Sequence, residues 1–277
     1  MMLTKERLKE IKELQHICEE NDRIELKLNW DMLDSKDRNE KDNFYHYDQN
    51  GRLIGFLALY GFGNKVELCG MIHPENRRNG IFSRLMMQGL QEAIERNTTT
   101  ILLNAPTESQ SAKAFLAQVP CTFKVAEYQM KWHETGLSLD DTVTLRPSAT
   151  EDDVETEIQL EIQCFGYKEE EAREFNKMIK NNEKDQYLMI EMGGKTVGKM
   201  RVSEANGESW IYGFAVMPEY QGKGIGRKAL TNAVIEENKK GFSVFLEVEA
   251  KNTHALRLYE SCGFKAYHSQ DYYEYSL

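Results

Sequence analysis

Three glycines fall within five positions of the stretch QGKGIGRKAL, residues 221–230, and two cations lie beside them. These residues are Gly222, Lys223, Gly224, Gly226 and Arg227. Where side chains are absent, backbone N–H groups can approach an anion closely. A helix that begins here would add about half a positive charge at its N-terminus. The stretch therefore predicts a cradle for a phosphate-bearing ligand, and its alternative is a glycine-rich turn that binds nothing.

Two longer phosphate-binding motifs do not fit these glycines. A P-loop requires the pattern GxxxxGK[ST], and Gly222 lacks the later partners. A dinucleotide fingerprint requires GxGxxG, and Arg227 stands where its third glycine would be. A shorter pattern, Q/R-x-x-G-x-G/A between a strand and a helix, fits Gln221, Gly224 and Gly226.

The flanking residues predict the strand and the helix that this shorter cradle needs. An apolar strand is predicted at about 210–216, and a helix follows the glycines. The apolar residues of that helix lie on one face, namely Ile225, Ala229, Leu230, Ala233 and Val234. Two lysines and Gly241 then end the helix, and the alternating segment SVFLEVEA predicts another strand.

The same arrangement occurs twice in the chain. HPENRRNGIFSRLM, residues 73–86, repeats the cradle segment at an offset of 144 positions. The matching pairs are Pro74 with Pro218, Glu75 with Glu219, Gly80 with Gly224, and Ile81 with Ile225. Each copy follows a hairpin signal with an NG or GG turn and precedes an apolar-faced helix, which in the first copy includes Ile94.

The repeat predicts an α+β fold of two tandem domains, each with a central mixed β-sheet flanked by helices. We place the N-terminal domain at 1–137 and the C-terminal domain at 143–277. The polar stretch TGLSLDDTVTLRPS carries the boundary between them. A charged amphipathic helix at about 4–20 is predicted to precede the first copy.

Composition narrows the classes of function. A net charge of −10 argues against a nucleic acid as partner. No apolar run approaches the ~20 residues of a membrane helix, and the charged start is unlike a signal peptide. Five scattered cysteines and six histidines show neither disulfide nor metal spacing. We expect a cytoplasmic protein with reduced thiols, no metal and no membrane partner.

WIYGFAVMPEYQGKGIGRKAL, followed by FLEVEAKNTHALRLYESCGF, resembles the GNAT superfamily of acetyl-CoA-dependent N-acetyltransferases. The resemblance covers both halves of the chain and is sharper in the second. It implies that the cradle binds the pyrophosphate of coenzyme A through Gln221, Gly222, Lys223, Gly224, Ile225, Gly226 and Arg227. It further implies that the preceding strand contacts the pantetheine arm and thioester through Phe214, Ala215 and Val216, and that Asn252 lies near this arm.

The segment LEVEAKNTHALRLYESCGF looks especially like the ribosomal-protein N-terminal acetyltransferases. That resemblance implies Glu247 as general base and Tyr259 as general acid. The chemistry is suitable, because the acceptor amine must lose a proton and the departing thiolate needs one. Each of these roles has an alternative. Glu247 could be an ordinary solvated carboxylate, with Glu249 as the base. Tyr259 could belong only to the core, and Asn252 could only cap a helix.

The first copy lacks the groups that would do this chemistry. At the repeat offset, Leu103 replaces Glu247, Phe115 replaces Tyr259, Phe82 replaces Gly226, and Glu108 replaces Asn252. We expect the bulk of Phe82 to crowd the phosphate path, although some branches of the family carry phenylalanine there. An active second domain behind a degenerate first one is similar to the architecture of the mycothiol synthases.

The resulting hypothesis is an acetyl-CoA:amine N-acetyltransferase with one productive site, in the C-terminal domain. The acceptor would be an amine-bearing small molecule or a peptide N-terminus, which the sequence leaves open. The chain is expected to be a monomer that acts as a fused pseudo-dimer. A protein that binds acyl-CoA without turnover and a structural module that binds no coenzyme A are the alternatives.

Overall fold

The computed structural model describes residues 3–34, 39–62, 64–180, 185–205 and 207–276. The chain forms two compact units, here called unit 1 (Met1–Ala126 with His268–Leu277) and unit 2 (Glu127–Tyr267). Each unit contains a mixed β-sheet with helices on it, as the following ranges show. The predicted fold class is therefore confirmed. The boundary between the two repeats at 137–143 stays a prediction.

Unit 1 begins with a long helix and then forms most of its sheet. Its helices are α1 (Lys5–Asp22), α2 (Trp30–Leu33), α3 (Ile81–Glu95) and α4 (Gln110–Leu116). Its own strands are β1 (Asn43–Tyr47), β2 (Leu53–Phe62), β3 (Lys65–Ile72) and β4 (Thr100–Pro106). β1, β2 and β3 pair antiparallel in chain order, and β4 pairs parallel to β3.

Unit 2 repeats this order of elements. Its helices are α5 (Glu151–Phe165), α6 (Glu169–Lys180), α7 (Ile225–Lys239) and α8 (Thr253–Ser261). Its own strands are β6 (Val143–Pro147), β7 (Asp185–Met192), β8 (Lys195–Ala205), β9 (Glu208–Val216) and β10 (Ser243–Glu249). β6 to β9 pair antiparallel in chain order, and β10 pairs parallel to β9.

The chain passes from one unit to the other within two strands, β5 (Cys121–Trp132) and β11 (Phe264–Tyr275). Residues 127–131 of β5 pair antiparallel with β10 in unit 2. Residues 270–274 of β11, near the end of the chain, pair antiparallel with β4 in unit 1. The compact units consequently differ in membership from the linear ranges of the two repeats.

The apolar helix faces predicted by periodicity form the cores. All five residues predicted for α7 are buried, as are the corresponding residues of α3 up to Ala93. Ile94 was predicted on the α3 face but is 53% exposed. At 100° per residue it lies about 130° from the centre of the buried face, which explains its exposure. None of the described helices is both long and apolar enough to cross a membrane.

Candidate active site

The glycine stretch forms a tight loop between β9 and α7. Gly222 has φ +73° and Gly224 has φ +78°, in the left-handed region that favours glycine. A Cβ at either position would meet no described atom within 4 Å. Gly224 is the N-cap of α7 and gives it no side-chain cap. The free N–H groups of the first turn therefore border open space, as an anion site requires.

Side chains of the loop are held by backbone carbonyls. Gln221 Nε2 donates to the carbonyl oxygen of Val216, the last residue of β9, at 2.8 Å. Lys223 Nζ donates to the carbonyl of Glu219 at 2.8 Å, and Arg227 Nη1 donates to the carbonyl of Ser261 at 3.5 Å. Gln221 thus fixes the loop to the strand, while the two cations stay beside the start of α7.

β9 carries a bulge immediately before the loop. Lys199 of β8 lies opposite Ala215, and Arg201 lies opposite Tyr212, so that two residues of β9 face one of β8. The extra residue belongs to Gly213–Phe214, where Gly213 has φ +54°. A bulge redirects the strand and leaves backbone groups unpaired. The sequence did not predict this bulge, because a single glycine such as Gly213 also occurs at ordinary strand positions.

β9 and β10 stop pairing with each other shortly before the bulge of β9. They pair only from Glu208–Ile211 to Ser243–Leu246, although β9 continues to Val216 and β10 to Glu249. Beyond that point the strands form a gap that opens toward the glycine loop. Among the described residues, no strand pairs with the backbone groups of β9 that face the gap, so these groups are available to a ligand.

Glu247 is the first residue of β10 beyond the paired segment. Its Oε1 accepts a hydrogen bond from Gln129 Nε2 at 3.0 Å, and Gln129 lies directly opposite in β5. The side chain is half-buried on the face opposite to Leu246 and Val248. Glu249, the alternative base, is 44% exposed and pairs with Lys251 at 3.0 Å. The two carboxylates therefore differ in their contacts: an amide donates to Glu247, and a cation pairs with Glu249.

Tyr259 lies on α8 and is only 9% exposed. Its ring packs near Phe214 and Phe264, with centroid distances of 6.5 and 6.3 Å. Burial, with a smaller contribution from Cys262, raises the pKa of Tyr259 to about 12. The phenol is therefore protonated at neutral pH, and its hydroxyl has no hydrogen-bond partner within the described parts of the chain.

Tyr259 and Glu247 lie on opposite faces of the sheet. Tyr259 belongs to the core beneath α7, together with Leu246 and Val248, and Glu247 points to the other face. The gap between β9 and β10 connects the two faces. A carbonyl group held in this gap would have a proton donor on one side and a carboxylate on the other.

Asn252 is the N-cap of α8. Its Oδ1 accepts a hydrogen bond from the backbone N–H of Ala255 at 3.1 Å. The capping role considered for it in the sequence is confirmed, and its contact with a ligand stays a prediction.

A buried polar layer between α5, α6 and the sheet of unit 2 was not predicted. Lys199 donates to Glu161, and both side chains are almost fully buried. Asn176 Nδ2 donates to Glu157 Oε2 at 2.7 Å, also in the interior. The available sequence signal was the four-residue spacing of Glu157 and Glu161, which places two carboxylates on one face of α5. In unit 1 the corresponding layer beneath α1 is apolar and contains Ile11, Leu14, Phe56 and Tyr60.

The loop of unit 1 keeps the backbone of the unit 2 loop. Arg77 Nε donates to the carbonyl of Ile72 at 3.1 Å, as Gln221 does to Val216. Arg78 stands at the position of Gly222 and has φ +65°, a conformation that costs a non-glycine residue about 1–2 kcal/mol. Gly80, at the position of Gly224, has φ +69°.

At two equivalent positions, one on the strand before the loop and one on the helix after it, the units carry phenylalanine and glycine in opposite order. In unit 2 the ring comes from the strand: a Cβ on Gly226 would lie 3.6 Å from Phe214 Cζ. In unit 1 the ring comes from the helix: a Cβ on Gly70 would lie 2.9 Å from Phe82 Cε2. We expected Phe82 to crowd the phosphate path. Its ring covers Gly70 and packs edge-on against Phe115, with centroids 4.9 Å apart, and its effect on a phosphate stays a prediction.

Comparison with known proteins identifies the family. The model of the acetyltransferase (GNAT) family matches residues 6–119 and, separately, residues 154–264. The chain belongs to this family and contains two copies of its domain, which confirms the resemblance found in the sequence.

Individual relatives match parts of the chain. Over 91 residues it is 34% identical to the [ribosomal protein bS18]-alanine N-acetyltransferase of Escherichia coli, covering 32% of this chain and 62% of that protein. Over 74 residues it is 46% identical to the mycothiol acetyltransferase of Renibacterium salmoninarum, covering 26% and 21%. The chain thus spans less than two thirds of the length of these relatives.

A solved structure matches nearly the whole chain. The GCN5-related N-acetyltransferase from Sphaerobacter thermophilus superposes with a TM-score of 0.78, covering 96% of this chain and 91% of that one. Sequence identity is 19%, so the similarity concerns the fold.

Proposed function

We propose that this protein is an acetyl-CoA-dependent N-acetyltransferase whose reaction takes place in unit 2. The observation that carries the proposal is the gap between β9 and β10. Glu247 is the first residue of β10 beyond the paired segment, and the ring of Tyr259 lies 6.5 Å from the ring of Phe214 in the bulge of β9. In unit 1 the same two positions hold Phe115 and Leu103, which neither donate nor accept a proton.

The loop of unit 2 fits the pyrophosphate of coenzyme A. Open space surrounds Gly222 and Gly224, uncapped N–H groups begin α7, and Lys223 and Arg227 supply positive charge. Ile225 and Gly226 contribute backbone N–H groups of the first turn. When bound, acetyl-CoA supplies the acetyl group as a thioester, and the backbone of Phe214, Ala215 and Val216, which is not paired with β10, would contact the arm that carries it.

The side chains around the gap would move two protons. Glu247 would take a proton from the acceptor ammonium, directly or through water, so that the neutral amine can attack. Tyr259 would give its proton to the departing thiolate of coenzyme A. Backbone N–H groups at the β9 bulge would polarise the thioester carbonyl. Transfer is direct, with both substrates bound together and no covalent intermediate on the enzyme.

We propose an amine of a small molecule or a peptide N-terminus as acceptor. One relative is named for acetylating an alanine of ribosomal protein bS18. The net charge of −10 favours approach of a cationic amine over an anionic one.

The test is thiol release from acetyl-CoA by the full chain across a panel of amines. The panel contains polyamines, amino sugars and peptides with an N-terminal alanine. Amine-dependent release supports the proposal. Tight binding of coenzyme A with no release for every amine would instead indicate an acyl-CoA-binding protein without turnover, and absence of binding would indicate a structural module.

Glu247→Gln is expected to lower kcat by about tenfold or more and to flatten the acid limb of the pH–rate profile. The amide keeps the size of the side chain and a hydrogen-bonding group for Gln129, but it cannot accept the proton of the amine. Glu249→Gln, two residues along the same strand face, is the matched control. A profile that changes with Glu249→Gln and not with Glu247→Gln would transfer the proposed role to Glu249.

Two family domains in one chain would replace the pairing of two separate chains. We therefore expect a monomer that acts as a fused pseudo-dimer. Sedimentation velocity checks this expectation: a single species of about 32.1 kDa agrees with it. A concentration-independent species of twice that mass would contradict it.

A further inference from the structure

Unit 1 contains a cleft of about 760 Å³. β3 and β4 pair only from Lys65–Leu68 to Thr100–Leu103, although β3 continues to Ile72 and β4 to Pro106. The residues beyond the paired segments line the cleft, together with the first turns of α3, with α4 and with the segment after α1. The cleft therefore corresponds to the gap of unit 2.

The inner part of the cleft is apolar. It is lined by Leu68, Met86, Leu103, Phe115, Leu116 and Val119. Leu103 and Phe115 are the counterparts of the two groups that would move protons in unit 2. This part of unit 1 consequently lacks the acid and the base, and it offers an apolar ligand a surface on which burial is favourable.

The mouth of the cleft is cationic. Arg77 and Arg78 line it, and Arg77 is paired with Asp22 at 2.8 Å, whereas Arg78 forms no ion pair and no side-chain hydrogen bond with the described residues. Arg84 does not line the cleft but is likewise unpaired among the described residues. Arg84 Nη1 lies 3.6 Å from the position of a Cβ on Gly80, beside the uncapped start of the 15-residue helix α3. The cations at the loop of unit 2 differ, because Lys223 and Arg227 both donate to backbone carbonyls.

A polar donor also lies in the cleft. Asn104 of β4 is one of the lining residues, and its buried Nδ2 has no hydrogen-bond partner in the parts of the chain that the structure describes. A buried donor without a partner costs free energy that a ligand oxygen would recover.

We propose that this cleft is a second ligand site, which binds an acyl or alkyl chain with an anionic head group and does not turn it over. The head group lies at Arg78 and the start of α3, where Arg84 approaches Gly80, and the chain lies against Leu103 and Phe115. The site is in unit 1, so its failure in a test leaves the proposed reaction of unit 2 unaffected.

Laurate, lauroyl-CoA and coenzyme A are the probes, titrated against the full chain by calorimetry and by competition. Laurate is expected to bind one site per chain. Lauroyl-CoA is expected to displace it, while coenzyme A at the same concentration is not. Tighter binding of lauroyl-CoA than of laurate would identify phosphates as the natural head group. Tighter binding of laurate would identify a carboxylate as the natural head group. Absence of laurate binding, or equal displacement by coenzyme A, would overturn the proposal.

Arg78→Gly tests the cationic mouth without a folding penalty, because glycine relieves the left-handed φ. It is expected to weaken laurate binding at least tenfold. Arg23→Gly is the matched control, because it removes the same charge from another residue with a positive φ, +54°. Arg23 does not line the cleft. Equal effects of both variants would show that only net charge matters and would contradict the site.

Met87→Glu tests the apolar wall. Met87 is 61% exposed and lines the cleft, so a carboxylate is tolerated there by the fold but opposes an anionic apolar ligand. Laurate binding is expected to fall at least tenfold. Ile94→Glu on the same helix, at a residue outside the cleft that is 53% exposed, is expected to leave binding unchanged. Unchanged binding in Met87→Glu would overturn the placement of the ligand.

Discussion

Replacing Tyr259 with phenylalanine is expected to lower kcat by about 10²–10⁴-fold and to leave the affinity for acetyl-CoA nearly unchanged. The substitution removes one oxygen from a ring that is otherwise held by packing against Phe214 and Phe264. The hydroxyl has no described hydrogen-bond partner whose loss would disturb the fold. A change in turnover would therefore report the lost proton donor rather than a damaged core.

The pH dependence gives a second readout for the same residue. Burial penalises the charged phenolate, so the pKa of Tyr259 rises to about 12 and the protonated form persists on the alkaline side. The donor would be lost only as the pH approaches this value. The wild-type pH–rate profile is thus expected to show no alkaline limb from Tyr259 below about pH 11.

Tyr128→Phe is the control for Tyr259→Phe, because Tyr128 packs against the same core and lies opposite Val248 in the sheet. It should change kcat by less than about threefold. Steady-state kinetics and calorimetric titration with acetyl-CoA separate kcat from binding. A loss below about threefold in Tyr259→Phe would return this tyrosine to a purely structural role.

The sequence predicted those features that depend on neighbours along the chain. The buried face of α7 follows from apolar spacing, and the loop before it follows from glycines at Gly222 and Gly224. Both have a local cause, namely helix periodicity and left-handed backbone. The cap formed by Asn252 is local in the same sense.

Features that depend on distant partners were not predictable. Alternation shows that β11 is a strand, but not that residues 270–274 pair with β4 in unit 1. For the same reason, nothing in the sequence placed Gln129 beside Glu247, 118 positions later. The exchange of Phe214 and Gly226 for Gly70 and Phe82 is a pairwise packing relation. A comparison of single positions shows the change to Phe82 but not that its ring lies over Gly70.

Gly224→Val is expected to weaken coenzyme A binding by more than tenfold and to abolish measurable turnover. A β-branched residue is strongly disfavoured at φ +78°, so the loop would have to change its backbone. The new side chain would also occupy the open space next to the N–H groups at the start of α7. Both effects act on the proposed site of the pyrophosphate.

Gly80→Val is the matched variant in unit 1, because Gly80 is also an N-cap, with φ +69° and no backbone neighbour within 4 Å of a Cβ. Any general cost of valine at such a position, about 1–2 kcal/mol, is therefore shared. With both variants folded by circular dichroism, only Gly224→Val should abolish turnover. Gly80→Val should instead weaken laurate binding to the cleft of unit 1. Loss of turnover in a folded Gly80→Val protein would contradict this division, because it would make the loop of unit 1 part of the reaction.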